Sequence, residues 1–266
     1  MKNIIKTLQL PITKLLLYPL STVLFGLIYG YFTSNVFNFM TSILLCVMVM
    51  GAETTHYLFH LKTDRYYDHP KLNIFLIISE AILTIALLTL FFRMNWRINL
   101  LLFMYVAFIH LQYFPFNFSG TIYQIILKVM FNGFILNCIA LYSQIHSLPK
   151  EQLIAFIPLV FIQFAISLSS YNMCCYYKYL TPAIQPKMIN RIMIISSFIA
   201  VSLGVYLSLP STFYYLAQII FVLLSIFLLL PIVNPVKNEV QMNHKHYYLC
   251  SISTIITLLY AIAYYY

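Results

Sequence analysis

Hydrophobic residues in this chain come in long runs with few polar interruptions, unlike the alternation of half-buried strands or the one-sided stripes of soluble helices. Windows of about 20 residues, the length that crosses a bilayer as a helix, give nine runs. They lie at Leu15–Phe32, Phe39–Leu61, Leu72–Phe92, Ile98–Phe116, Thr121–Tyr142, Gln152–Tyr176, Ile192–Leu209, Phe213–Val233 and Tyr247–Tyr265. Turn sequences separate several of them: N-F-S-G at Asn117–Gly120, L-P-S-T at Leu209–Thr212 and P-I-V-N-P at Pro231–Pro235. The link between the seventh and eighth runs is so short that the two should lie antiparallel and adjacent. Leu15–Phe32 is too long for a signal-peptide core and lacks a small-residue cleavage site. There is no low-complexity segment and no clear internal repeat. The pattern predicts an all-α protein of nine transmembrane helices in one membrane domain, residues 1–266.

Composition removes the soluble alternatives. Of 266 residues, 62% are hydrophobic and 8% charged, against about 25% charged in soluble domains, and mean hydropathy is +0.87. A net charge of +9 would suit nucleic acid, but the basic residues form no run. They report orientation instead. With nine spans and a cytoplasmic N-terminus, the inner segments carry Lys2, Lys6, Lys14, Lys62, Arg65, Lys71, Lys178, Lys187, Arg191, Lys237 and Lys245, and the outer ones Arg93, Arg97 and Lys150. Eleven against three is a strong positive-inside bias. The expected location is a bacterial inner membrane, with no nucleic-acid partner. The five cysteines show no metal spacing, and the adjacent Cys174–Cys175 pair reads as apolar packing, not a disulfide.

Chemistry concentrates where the second run ends, in E-T-T-H-Y-L-F-H-L-K-T-D-R-Y-Y-D from Glu53 to Asp68, which holds both aspartates of the chain. Continued as one helix, Glu53, His56, His60, Asp64 and Asp68 share an arc of roughly 120°. A carboxylate at the bilayer centre costs roughly 2.5–3.5 kcal/mol, so such a stripe is expected to face a wet, protein-lined cavity. The plain alternative is a solvated loop in which Lys62 and Arg65 hold the aspartates. A second polar stretch, Ser170–Tyr179, ends the sixth run on the same side, and the two together suggest a shared cytoplasmic pocket. Glu80, inside the third run, either lines that pocket or, as preferred here, bonds a neighbouring helix. Gly26, Gly30, Gly51 and Gly133 read as points of close helix approach. Trp96, between Arg93 and Arg97, reads as an interface anchor.

Nine spans with an aspartate motif closing the second resemble the UbiA superfamily of intramembrane prenyltransferases, whose first motif is N-D-x-x-D-x-x-x-D. The corresponding stretch here runs from His60 to Pro70, with Asp64, Arg65, Asp68 and the His69-Pro70 pair matching and His60-Leu61 replacing the opening Asn-Asp. Tyr123, Lys128 and Asn132 resemble the family's tyrosine, lysine and asparagine on the fifth span. The resemblance implies Mg²⁺-dependent transfer of an isoprenyl group from a prenyl diphosphate to a lipophilic acceptor. Asp64 and Asp68 would bind the metal. Lys128, Arg65 and Lys178 would contact the diphosphate, and His60 or Asn172 would orient a substrate. The family's second aspartate motif is missing: Asn172, Tyr177 and Lys178 occupy that region, leaving donors for a single ion.

Other classes fit parts of the pattern. A UbiA-like protein without catalysis, holding a prenyl diphosphate, explains the lost second motif. His56 and His60, with His110, His244 and His246, have some character of a His-box di-iron oxidase, although an H-x-x-H-H box is absent. His244 and His246 are otherwise expected in a solvated loop. A transporter would need interrupted spans in matching positions, and Pro158 and Pro231 do not match.

Overall fold

The computed structural model describes residues 11–64, 70–116, 118, 121–177, 185–209, 215–232 and 238–265; the side chains of 11–14, 64, 71, 173–177, 186 and 239 are left out as well. Every described element is helical: α1 Pro11–Ser34, α2 Phe39–Asp64, α3 Pro70–Phe91 and α4 Trp96–Leu111, α5 Ile122–Ile145, α6 Lys150–Ile154, α7 Ile157–Tyr177, α8 Pro186–Ser208, α9 Leu216–Leu229 and α10 Glu239–Tyr265. Seven of these segments are long and apolar enough to cross a membrane, with α4 and α9 the shorter apolar helices between them. Each of the nine hydrophobic runs overlaps at least one helix among the described residues.

Several boundaries shift outward from the hydropathy windows. α10 starts at Glu239, eight residues before the apolar run, and α8 starts at Pro186 instead of Ile192. A helix does not stop at the edge of the hydrocarbon, because its backbone bonds are internal in water and lipid alike. The fourth run stops earlier, at Leu111, and continues as a turn. The sixth is broken at Ala155–Phe156, just ahead of Pro158, which takes a first-turn position in α7.

Two apolar cores share a septum made of α1 and α5. One contains Tyr18, Phe25 and Tyr29 of α1 with Phe156 and residues of α7, α8, α9 and α10. The other contains Val23 and Leu27 of α1 with residues of α2, α3 and α4. Between apolar helices in lipid the hydrophobic effect gives no net drive, so close approach and interhelical hydrogen bonds hold the bundle. The septum uses both. A Cβ on Gly26 would collide with the Asn137 carbonyl oxygen and the Ala140 side chain, and one on Gly133 would meet Val160 of α7. Asn137 Oδ1 accepts from the Gly26 N–H at 3.0 Å. Gln144 ties the far ends together, accepting from Asn38 N at 2.9 Å and donating to Ser42 Oγ at 2.9 Å. Gly51 is less crowded, with Leu83 at ordinary contact distance. α8 and α9 pack together as expected, and Gln218 Nε2 donates to the Ser208 carbonyl at 3.4 Å.

Lipid-facing surface is easy to recognise. Ile74, Phe75, Ile77, Ile78, Ile82, Ile85 and Leu88 of α3 are all exposed, which only a bilayer would tolerate over a whole helix. Trp96 is exposed, with the Arg97 guanidinium 5.7 Å from its ring, an arrangement suited to a membrane interface.

Candidate functional site

α5 is not a regular α-helix. It is α-helical from Ile122 to Val129, π-wound over Met130–Ile135, and α-helical again from Leu136. The π turn carries Asn132 and Gly133 into the septum, and such single turns recur at functional sites. Asn132 Nδ2 donates to the Tyr18 hydroxyl at 3.0 Å, and that hydroxyl donates to Gln163 Oε1 at 3.1 Å. Gln163 Nε2 donates to Ser253 Oγ at 3.2 Å, Ser253 Oγ to Ser21 Oγ at 3.1 Å, and Ser21 Oγ to the Tyr18 carbonyl at 2.7 Å. The bonds run from α5 to α1, α7, α10 and back to α1. Within a low-dielectric bundle a network satisfied in this way fixes helix register and side-chain orientation.

Charge lies on and beside this network. Lys128 Nζ, one helical turn before Asn132, sits 5.3 Å from the centre of the Tyr18 ring. That cation–π contact stabilises a desolvated ammonium by about 2 kcal/mol. Among the described residues Lys128 forms no salt bridge. Glu53 of α2 is 4% exposed. It makes no hydrogen bond among the described residues. Tyr105 of α4 is fully buried and its hydroxyl is unpartnered. Leaving such a hydroxyl unbonded costs about 1–3 kcal/mol.

The outer flank of α2 carries a separate polar set. Tyr113 bonds His56, its hydroxyl lying 3.0 Å from Nδ1 and 3.1 Å from the backbone carbonyl, and its ring stacks on Phe59. Glu80 bonds a neighbouring helix: both its oxygens lie near His110 Nε2, at 3.0 and 3.2 Å. His110 Nδ1 is 2.9 Å from the Val106 carbonyl, which can only accept. Nδ1 is therefore the donor of that bond.

The residues singled out from sequence divide into three groups. Lys128 and Asn132 are brought to one point, the ring and hydroxyl of Tyr18. Tyr123 is not with them: it is 65% exposed, and the tyrosine of the cluster is Tyr18. Asp64 is the last residue of α2, so Glu53, His56, His60 and Asp64 do share one helix. The Asp64 side chain, Arg65, Asp68, His69 and Lys178 lie outside the described residues, while His60 and Asn172 are half-buried on α2 and α7. Lys62, assigned to the aspartates in the solvated-loop alternative, donates to Asn73 Oδ1 on α3 at 2.9 Å. His246 corrects another expectation. It is buried on α10, not in a solvated loop, with Nδ1 3.2 Å from Ser170 Oγ and Nε2 3.7 Å from Cys250 Sγ. Among the described residues no three His, Cys, Asp or Glu side chains are close enough to hold a metal.

Sequence reasoning missed Tyr18, Gln163 and Tyr105. Tyr18 and Tyr105 are two of 23 tyrosines, and nothing local marks which of them turn inward. No protein-family model and no curated protein matches this sequence.

Proposed function

We propose that the protein is an intramembrane prenyltransferase, moving an isoprenyl group from a prenyl diphosphate to a lipophilic acceptor, on a UbiA-like bundle of nine spans with a cytoplasmic N-terminus. The observation that carries this reading is Lys128: a half-buried ammonium inside an apolar bundle, with a tyrosine face beside it and no carboxylate bonded to it among the described residues. A cation so placed calls for an anion, and a membrane-soluble one. The diphosphate of an isoprenoid lipid meets both requirements. The network through Tyr18, Asn132 and Gln163 supports the same role, because a group that stabilises a leaving diphosphate must be held before the charge develops.

Asp64, at the end of α2, and Asp68, four residues on, are hard oxygen donors of the type Mg²⁺ takes together with substrate phosphate. Bound there, the ion would neutralise diphosphate charge. Lys128 would then complement it from α5, with Arg65 and Lys178 as further cations and His60 and Asn172 orienting a substrate. Glu53 lies eleven residues before Asp64, about 16 Å from it along the helix. Binding without turnover is the second reading, favoured by the absence of acidic residues near Asn172.

A thermal-shift measurement tests the site. Mg²⁺ with geranylgeranyl diphosphate should raise the melting temperature of the detergent-purified protein, since a ligand at 100 times its Kd adds about 2.7 kcal/mol. The Asp64→Asn/Asp68→Asn double variant should lose the shift. An undiminished shift in that variant removes the aspartates from the site.

A further inference from the structure

The hydrogen bonds that join Asn132, Tyr18, Gln163, Ser253 and Ser21 have one consistent polarity. Ser21 Oγ donates to the Tyr18 carbonyl, which can only accept. Ser253 therefore supplies the proton between the two serines, and the Gln163 amide the one before it. Gln163 then presents Oε1 to Tyr18, and the phenol proton is committed there. Turning the amide over would leave the contact between the serines without a proton. Two roles are closed to such a network. Tyr18 has no proton to give a ligand, and a chain interrupted by a carboxamide does not relay protons. What remains is the ring. Its hydroxyl is held from two sides, by Asn132 and by Gln163, and its centre lies 5.3 Å from Lys128 Nζ. A lysine stem is flexible, and among the described residues no salt bridge fixes its end. The ring is the reference that places the ammonium, because a tyrosine χ2 is broad unless something holds it.

We infer that Ser253 of α10 is a positioning residue for the Lys128 ammonium of α5, acting through Gln163 and the ring of Tyr18. As a contribution to diphosphate handling this rests on the prenyl-transfer reading; as a statement of what places the ammonium it does not. Without the Ser253 hydroxyl, Gln163 Nε2 loses its acceptor and the amide is free to turn. Tyr18 then loses the acceptor that fixes its hydroxyl, and the ring face leaves Lys128. Threonine at 253 keeps the hydroxyl. Its extra methyl has room, because Ser253 lines an enclosed cavity of about 10 Å³ beside Ile162, Ile252 and Ile256, roughly the space of one small group.

The full-length protein is produced with lysine carrying ¹³C at Cε and its lysine signals are recorded by NMR in detergent, with no ligand added. The signal lost in Lys128→Arg identifies Lys128. It should lie upfield of the other lysines through the ring current of Tyr18, and Tyr18→Leu should return it to their position. Ser253→Ala should remove most of the upfield shift, and Ser253→Thr should keep it. Gln163→Leu should act as Ser253→Ala does, and adding it to Ser253→Ala should change nothing further. The serine variants decide the matter if Gln163→Leu does not elute as a folded monodisperse species. A purely structural Ser253 would lower the unfolding midpoint in Ser253→Ala and leave the Lys128 signal in place. That result, or a wild-type Lys128 signal among those of exposed lysines, overturns the inference. Pyrophosphate release from geranylgeranyl diphosphate with Mg²⁺ should fall about tenfold or more in Ser253→Ala and recover in Ser253→Thr. The two proposals fail separately. A Lys128 signal that follows Ser253 in a protein with no thermal shift from geranylgeranyl diphosphate keeps the positioning and loses prenyl transfer. Donor turnover with a Lys128 signal indifferent to Ser253 does the reverse.

Discussion

Glu53 and Glu80 are acids on two adjacent packed helices, joined between them by the Thr55–Ser79 hydroxyl contact at 2.7 Å. Glu80 lies on the lateral side of the bundle, where α3 has only 22% of its span buried, and its side chain is 27% exposed. It is nevertheless fully engaged, with His110 against both oxygens. Glu53 is far more deeply enclosed and has no such partner among the described residues. If enclosure alone decided pairing, the order would be reversed. A carboxyl facing lipid must carry its partner with it, because hydrocarbon offers none. One facing an interior can leave that position for a ligand. The contrast separates a polar residue paired across the bundle from one left without a hydrogen bond among the described residues.

Breaking the lateral pair gives the largest effect on stability. Glu80→Leu and His110→Leu should each destabilise the protein by about 1–2 kcal/mol in mixed-micelle unfolding, since each leaves its partner's polar atoms against lipid. The double variant should cost less than the sum, with a coupling of about 1 kcal/mol. Additive losses would show that the bond contributes nothing.

The interior pair sharpens the comparison by its opposite sign. Glu53→Gln and Tyr105→Phe should leave unfolding stability unchanged or raise it by up to about 1 kcal/mol, because the first replaces an ionisable group by a neutral one and the second removes a hydroxyl buried without a bond. Destabilisation of about 2 kcal/mol or more in either variant would place these residues with Glu80, as structural.

Much of this contrast was legible in the sequence, and the rest was hidden for definite reasons. The nine apolar runs mark the helices because lipid-facing residues must be apolar whatever they pack against. Glu80 was readable as an interhelical bond, since an isolated acid in an apolar run needs a partner. Gly26 and Gly133 were readable as crossings because no side chain fits there. The fates of Tyr18 and Tyr105 were not legible, because a tyrosine facing inward and one at the interface contribute alike to hydropathy. The π turn at Met130–Ile135 was equally silent, since it depends on how α5 fits between α1 and α7. His246 was misplaced because hydropathy registers where the apolar run starts, not where α10 does. The aspartate stretch was read from spacing and resemblance, and the Asp64 side chain and Asp68 lie outside the described residues.

Lys128 offers the most direct test of the central claim, that the interior cluster stabilises a departing diphosphate. Radiolabelled donors from geranyl to octaprenyl diphosphate are incubated with the purified wild-type protein, Mg²⁺ and a panel of phenolic and lipid acceptors, and inorganic pyrophosphate is measured. The account predicts release from at least one donor. It also predicts that Lys128→Met, still folded by its elution and helical circular dichroism, lowers that release by about a hundredfold or more, the scale of losing one charge-stabilising donor. Wild-type protein that binds the donors and releases no pyrophosphate from any of them, or a Lys128→Met variant as active as wild type, would contradict it.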